Sequence, residues 1–422
     1  RMIRRSSLNT IKAYREDVYA TELTAIVTDI SFIDGVTSIV LDRTVFYPTG
    51  GGQPCDKGFI EDFFIFDVSE DKDGTIIHKT KDITSSESAS DLLGTEISMR
   101  IDWDIRFRNM QRHLGEHLLS GAFYKLFGAK NKGFHMGEDY ITIDILTDFG
   151  LLTPEMVNEA EILANKFIQR NLPVKVSYFK SGDKASELPV RKPITIDGEV
   201  SIVTAGYEDN IADCVACCGT HPSHTGEVGL LKIYKFETNK GMTRIYFDVG
   251  MDALNKCIND MAELKKISEH YSCGEYDLYD VLIRKEELEK KLKNSISKLQ
   301  TSLVKMKVSE IYSDIVDKDY KGLYRIDESL LDSDGALKMG YKIIDQLSNY
   351  KHIDRLILAI ITEGFNIILL SNGTFPCGKL VKNNVKNFNG KGGGRDNNAR
   401  AKFDNSNSIN AFLDKIELEI NH

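Results

Sequence analysis

Two couplets carry the clearest chemistry in the sequence: His113 and His117 in Gln111-Arg-His-Leu-Gly-Glu-His-Leu-Leu-Ser120, and Cys217 and His221 in Cys217-Cys-Gly-Thr-His221. They read as H-x-x-x-H and C-x-x-x-H. Residues four apart on a helix lie one above the other, so both imidazoles of the first couplet can reach one ion. A mixed His/Cys donor set suits zinc, whereas magnesium and calcium favour oxygen shells. The plainer reading makes His113 and His117 polar residues on the solvated face of an amphipathic helix, and Cys217 a small core hydrophobe. The first couplet is also a literal H-x-x-E-H through Glu116, which in a zinc peptidase would activate water. Otherwise Glu116 is the exposed carboxylate of that helix.

Composition bounds the classes that can hold such a site. A chain of 422 residues with 41% hydrophobic content suits about three packed domains. No stretch approaches the roughly 18 apolar residues of a membrane span, so no membrane role is expected. Seven cysteines, an odd count without framework spacing, fit a reducing, cytoplasmic setting. The opening Arg1–Ser7 is basic and serine-bearing like an organelle leader but lacks the apolar run of a secretion signal, and Arg1 before Met2 reads as a non-native addition. A net charge of −9 argues against wholesale nucleic-acid binding. Local binding stays open, because Lys379, Lys382, Lys386, Lys391, Arg395, Arg400 and Lys402 face the single acid Asp396 in the segment from Cys377 to Lys402.

The elements that must position these residues form an α+β chain of four segments. Residues 1–100 read as a small β-barrel, with strands at Ala25–Thr28, Ser38–Leu41, Phe59–Phe66 and Gly74–His78. Residues 101–251 read as an α/β metal-binding domain. Its first helix carries the H-x-x-x-H couplet with Leu114, Leu118, Leu119, Ala122 and Phe123 along one side, and a second helix runs from Thr153, the N-cap before Pro154, to Arg170. Strands are expected at Tyr140–Ile145, Val174–Tyr178, Leu230–Tyr234 and Thr243–Phe247. Residues 252–318 read as a helical, coiled-coil-like arm with a seam of Leu288, Leu292, Ile296, Leu299, Leu303 and Met306, paired either within an antiparallel hairpin or between molecules. Residues 319–422 read as a C-terminal α/β unit with a glycine-rich loop at Asn389–Arg395.

With these residues assembled, the chain resembles the AlaX family, free-standing relatives of the alanyl-tRNA synthetase editing domain, over nearly its whole length. The resemblance rests on Leu41-Asp-Arg-Thr-Val-Phe-Tyr-Pro-Thr-Gly-Gly-Gly-Gln-Pro54 with Asp56 and Gly58, on the two couplets with Gly133-Phe-His-Met-Gly137 between them, and on Gly219-Thr-His-Pro-Ser-His-Thr-Gly-Glu-Val-Gly229. The tail, with Gly390-Lys-Gly-Gly-Gly-Arg-Asp396, is similar to the synthetase C-terminal domain and points to the long form. Thr49 stands where the family usually has an acid, Cys218 where the synthetase commonly has glycine, and Asp396-Asn397 where a proline usually follows the arginine.

The resemblance implies hydrolysis of the ester joining serine or glycine to the 3′ end of tRNA(Ala), at one zinc ion per chain held by His113, His117, Cys217 and His221. That ion would acidify a bound water, polarise the ester carbonyl, or orient the substrate. Thr44 matches the threonine placed near the substrate side chain, where a polar partner is needed to tell serine from alanine. Gln53, Gly51 and Gly52 are expected to approach the ester or terminal adenosine, with Glu116 and His135 as further substrate or catalytic candidates. The basic tail residues are expected to bind tRNA, and the arm or tail to form a homodimer. Nucleotide (ATP) binding also travels with the resemblance. The competing readings are the zinc peptidase and a non-catalytic RNA-binding module with a structural zinc.

Overall fold

The computed structural model describes residues 9–185, 187–194, 198–349 and 355–421, so the basic Arg1–Ser7 opening lies outside the described residues. The chain divides into two compact units, Arg1–Lys266 and Ile267–His422.

The first unit opens with a seven-stranded antiparallel sheet in the order Phe63–Ile65, Gly58–Ile60, Glu96–Ile101, Glu22–Ile33, Val36–Leu41, Ile76–Thr80, Asp67–Glu70. Its two edge strands are consecutive in the chain and separated only by Phe66, whose N–H donates to the Lys79 carbonyl at 3.1 Å. The sheet is therefore curled nearly shut around Val27, Ile39, Leu41, Phe46, Ile60, Ile65 and Met99. The single strand expected over Phe59–Phe66 is instead a hairpin. Glu61 adopts a φ of +48°, a left-handed conformation that ends one strand and starts the next.

Behind the barrel runs the helix Trp103–Phe127. Asp102 caps it by accepting from the Asp104 and Ile105 N–H groups, and Gly128, at φ +63°, ends it. This helix is buried without a break from Arg112 through Phe123, so it is a core helix and not an amphipathic one. It lies among a four-stranded sheet (Lys130–Met136, Ile141–Leu146, Met242–Val249, Leu231–Asn239), the helix Pro154–Gln169 and a three-stranded sheet (Val174–Phe179, Val200–Tyr207, Asn210–Ala216). Leu114, Leu118 and Phe123 meet Ile143, Phe167 and Phe247 in one core. Thr153 caps the second helix as expected, its hydroxyl accepting from the Met156 N–H. The strands Lys130–Met136, Val200–Tyr207 and Asn210–Ala216 escaped the sequence reading. Ala212 to Val215 are buried in succession, and a strand covered on both faces loses the alternation that betrays it.

The second unit contains the 40-residue helix Leu278–Asp317 and a mixed sheet in the order Gly322–Asp327, Leu356–Thr362, Asn366–Ser371, Asn398–Lys402, Lys391–Gly394. The helix Ser333–Leu347 covers one face, and Cys377–Asn384 with Ser406–Asn421 cover the other. The long helix packs on this unit through Val304, Val308, Ile311 and Ile315, while Leu288, Leu292, Ile296 and Leu299 of the expected seam are exposed. The glycine-rich segment is not a loop. Lys391–Gly394 forms an edge strand; a Cβ on Gly378, which donates to the Arg395 carbonyl at 2.9 Å, would strike the Gly394 carbonyl, and one on Gly394 would strike Ala399 and the Asn398 carbonyl. Among the described residues no helix is long and apolar enough to cross a membrane.

Candidate metal centre

The buried helix delivers His113 and His117 on one face, each 2% exposed, and the segment after the Asn210–Ala216 strand brings Cys217 and His221 to them. The donor atoms of all four residues lie within 4.8 Å of one another. Cys217 Sγ is 3.2 Å from His113 Nε2 and 3.6 Å from His221 Nε2. Two glycines allow the approach. A Cβ on Gly121 would collide with the Ala212 carbonyl, and one on Gly219 with the His113 ring.

The groups behind the donors fix which nitrogens face the centre. Gln53 Oε1, an acceptor, lies 2.9 Å from His113 Nδ1, and Asp213 Oδ2 lies 3.1 Å from His117 Nδ1. Both Nδ1 atoms therefore carry the proton, and both Nε2 lone pairs point to the centre, the arrangement by which outer partners orient metal-binding imidazoles. Asp213 is gripped in turn by Arg191, Nε to Oδ1 at 2.7 Å. Gln53 is locked by Thr220, which donates from its N–H at 3.1 Å and accepts from Gln53 Nε2 at 2.8 Å.

Electrostatics favour the ligand forms of Cys217 and His221. Burial acts to raise the Cys217 thiol, but the His113 and His221 rings outweigh it and hold the thiol well below its usual range. Burial pushes His221 down to about 4 and so keeps that ring neutral. For His117 burial acts downward, yet the Asp213 hydrogen bond and Cys217 prevail and raise it to about 10, so this ring favours its protonated form and a metal at Nε2 would have to displace that proton. Three imidazoles with one low-pKa thiolate are a donor set that fits zinc.

The remaining expected residues fall in distinct places. Gly51 and Gly52 have φ of +57° and +82° in the tight turn that Gly50 and Gln53 close, and a Cβ there would lie 2.8 Å from Cys218 Sγ and 2.6 Å from the Phe134 ring, respectively. That turn is tied to the buried helix by the fully buried pair Asp56 and Arg106, Nε to Oδ1 at 2.9 Å, with Asp56 also accepting from the Tyr47 N–H at 2.6 Å. Glu116 is not an exposed carboxylate. It is 6% exposed, accepts from Ser120 at 2.6 Å and Asn131 at 2.7 Å through Oε1, and its Oε2 is 3.9 Å from His117 Nε2. His135 is exposed, whereas its neighbour Phe134 lies over His113, ring centroids 5.3 Å apart. Thr44 is buried inside the barrel, where its hydroxyl donates to His78 Nε2 at 2.8 Å and accepts from the Phe46 N–H at 3.1 Å. In the second unit, all seven basic tail residues are exposed. Sequence reasoning missed Asp213, Arg191 and Phe134. Asp213, an acid four residues before Cys217, and Phe134, inside Gly133-Phe-His-Met-Gly137, left traces in the pattern, whereas Arg191 left none.

Three family descriptions match parts of the chain: tRNA synthetases class II (A) over residues 6–105, the threonyl and alanyl tRNA synthetase second additional domain over residues 200–246, and the DHHA1 domain over residues 335–422. The alanyl-tRNA editing protein AlaX-L of Pyrococcus horikoshii is 29% identical over 412 residues, covering 93% of this chain and 94% of its own length. Over nearly its whole length the chain is thus similar to an AlaX editing protein. Alanine–tRNA ligases of Methanobrevibacter smithii and Pyrococcus abyssi are each 28% identical, over 72% and 90% of this chain but only 35% and 40% of their own lengths. The likeness to AlaX-L thus runs end to end, while the likeness to the ligases covers a part of them. The second additional domain match contains Cys217 and His221, the half of the donor set that lies on a loop.

Proposed function

We propose that the chain is a trans-editing hydrolase that cleaves the aminoacyl ester of tRNA(Ala) mischarged with serine or glycine. The observation that carries this reading is the convergence of His113, His117, Cys217 and His221 beside Gln53 of the barrel turn, in a chain similar end to end to an alanyl-tRNA editing protein. Zinc held by His113, His117 and Cys217 with His221 as a loose fourth ligand would supply Lewis-acid polarisation of the ester carbonyl or acidification of a water, and zinc held by all four would instead orient the substrate. Gln53 and Asp213 hold the two helix imidazoles in the tautomer that ligation needs. Glu116 Oε2, close to His117 Nε2, is suited to accept a proton from water at the centre as general base. Gly51 and Gly52 bring exposed backbone to the rim, where an ester can approach without meeting side chains.

An aminoacyl ester is already activated, so its hydrolysis needs neither ATP nor a strong nucleophile. The exposed lysines and arginines between Lys379 and Lys402 bind tRNA phosphates. The exposed Leu288, Leu292, Ile296 and Leu299 stripe is suited to a homodimer contact. The peptidase alternative is weaker, because Cys217 and His221 occupy the positions where such enzymes use a carboxylate and leave one open.

The test is deacylation of purified Ser-tRNA(Ala), Gly-tRNA(Ala) and Ala-tRNA(Ala) alongside a peptide. Release of serine or glycine with alanine retained is expected. Retention of every amino acid would reduce the chain to an RNA-binding module, and peptide cleavage would favour the peptidase.

A further inference from the structure

A depression of about 150 Å³ opens beside the metal-binding loop, lined by Cys218, Gly219, Thr220 and His221 on one side and by Arg15, Tyr14 and Tyr178 on the other. This is well below the roughly 300 Å³ at which pockets enclose whole small molecules. It has room for a single planar group whose remainder stays outside. Val174, Val176 and Tyr178 alternate along one strand and so line the same face. Tyr178 is 45% exposed, and the Arg15 guanidinium stands over its ring, 5.5 Å from the centroid. Arg15 makes only a long ion pair, 3.9 Å, with its carboxylate partner Glu199, beside its place over the Tyr178 ring. The floor is rigid. Tyr14 is buried, meets Tyr47 edge-on at 5.5 Å, and the Tyr47 hydroxyl donates to the Gly50 carbonyl at 2.9 Å, which ties the depression to the glycine turn.

We infer that Tyr178 and Arg15 form a stacking platform for the 3′-terminal nucleobase of the aminoacyl-tRNA. The inference rests on the editing reading and adds to it the group that grips the nucleoside. Unstacked bases at RNA ends are recognised on aromatic rings and guanidinium planes. The scissile ester sits on the ribose that carries this base, so a base held in a depression bordered by His221 leaves its ester beside the donor cluster. A seryl or glycyl side chain has no π-face to match such a platform.

Adenosine 5′-monophosphate serves as the probe, followed by calorimetry or saturation-transfer NMR on the full chain, together with single-turnover deacylation of Ser-tRNA(Ala). For Tyr178→Ala the expected result is about ten-fold weaker AMP binding and a similar rise in the half-saturating tRNA concentration, the loss falling there more than on the saturating rate. Tyr178→Trp should restore both, and Arg15→Ala should weaken both to a smaller extent. Unchanged AMP affinity and half-saturation in Tyr178→Ala overturn the platform. If the wild-type chain binds AMP through Tyr178 but releases no serine or glycine, the platform stands as a nucleoside site and the editing reading alone falls.

Discussion

Asp213 accepts a hydrogen bond from His117 Nδ1 at 3.1 Å while Arg191 holds its other oxygen at 2.7 Å, so a buried ion pair sets the tautomer of a histidine of the candidate metal centre. Asp213→Asn removes the charge behind that ring. Metal affinity should fall about 10- to 100-fold, read by competition with a chromophoric chelator. Taking the charge from Arg191's main buried partner also costs stability, at most about 3–5 kcal/mol since Glu116 remains 3.9 Å away, so folding is checked by circular dichroism at the assay temperature. Wild-type affinity in the folded variant would remove Asp213 from the site.

Gly219 separates the two ligands of the loop, and a Cβ there would strike the His113 ring and lie 2.9 Å from Gln53 Oε1. Gly219→Ala should therefore displace His113 and lower zinc content while the distant barrel core stays intact. Elemental analysis after gel filtration gives the answer. A full complement of zinc would show that the loop yields and the ring does not.

Glu116→Gln keeps an acceptor for Ser120 and Asn131 but loses the base. The single-turnover rate of ester hydrolysis should drop by about 10²- to 10⁴-fold with zinc content unchanged. A rate within a few-fold of wild type would leave Glu116 as a structural partner of Asn131 only.

His78 is wholly buried in the barrel, and burial lowers it to about 4 from its ordinary 6.5. Between those values the unfolded chain binds more protons than the folded one. The stability contribution of the neutral ring is thus complete above about pH 6.5 and is lost progressively as pH falls towards 4, on the order of 3 kcal/mol in all. Urea unfolding of wild type and His78→Gln at pH 7 and pH 4.5 isolates this term. The pH dependence should be shallower in the variant, and equal slopes would contradict the assignment.

Lys391 and Lys402 are cross-strand partners on the edge of the tail sheet. Like charges directly opposite destabilise a sheet, by about 0.2–1 kcal/mol. Lys391→Ala should accordingly raise or preserve the melting temperature of the chain while weakening tRNA binding and lowering its salt dependence by about one phosphate contact. Weaker stability with unchanged tRNA affinity would mean that the lysines serve the fold.

The sequence by itself determined the donor set, because two i,i+4 couplets of His and Cys are legible as types and spacing without coordinates. It also carried the barrel strands, with their turn signals, and the capped helix at Thr153, because those patterns are local. What only the tertiary structure decided is the surroundings of those donors. Asp213 reaches His117 across 96 residues and Gln53 reaches His113 across 60, and no local pattern encodes such pairings. The strand that carries Asp213 is buried on both faces, so its alternation is erased, and the helix that carries both histidines is buried all round, so its expected solvated face does not exist. The same burial turned Glu116 from a surface carboxylate into a neighbour of the centre. Glycine showed the division most clearly. The glycines at 51, 52 and 219 are visible in the sequence, but whether each marks a turn or a close approach depends on which side chain packs against it: Cys218, Phe134 and His113.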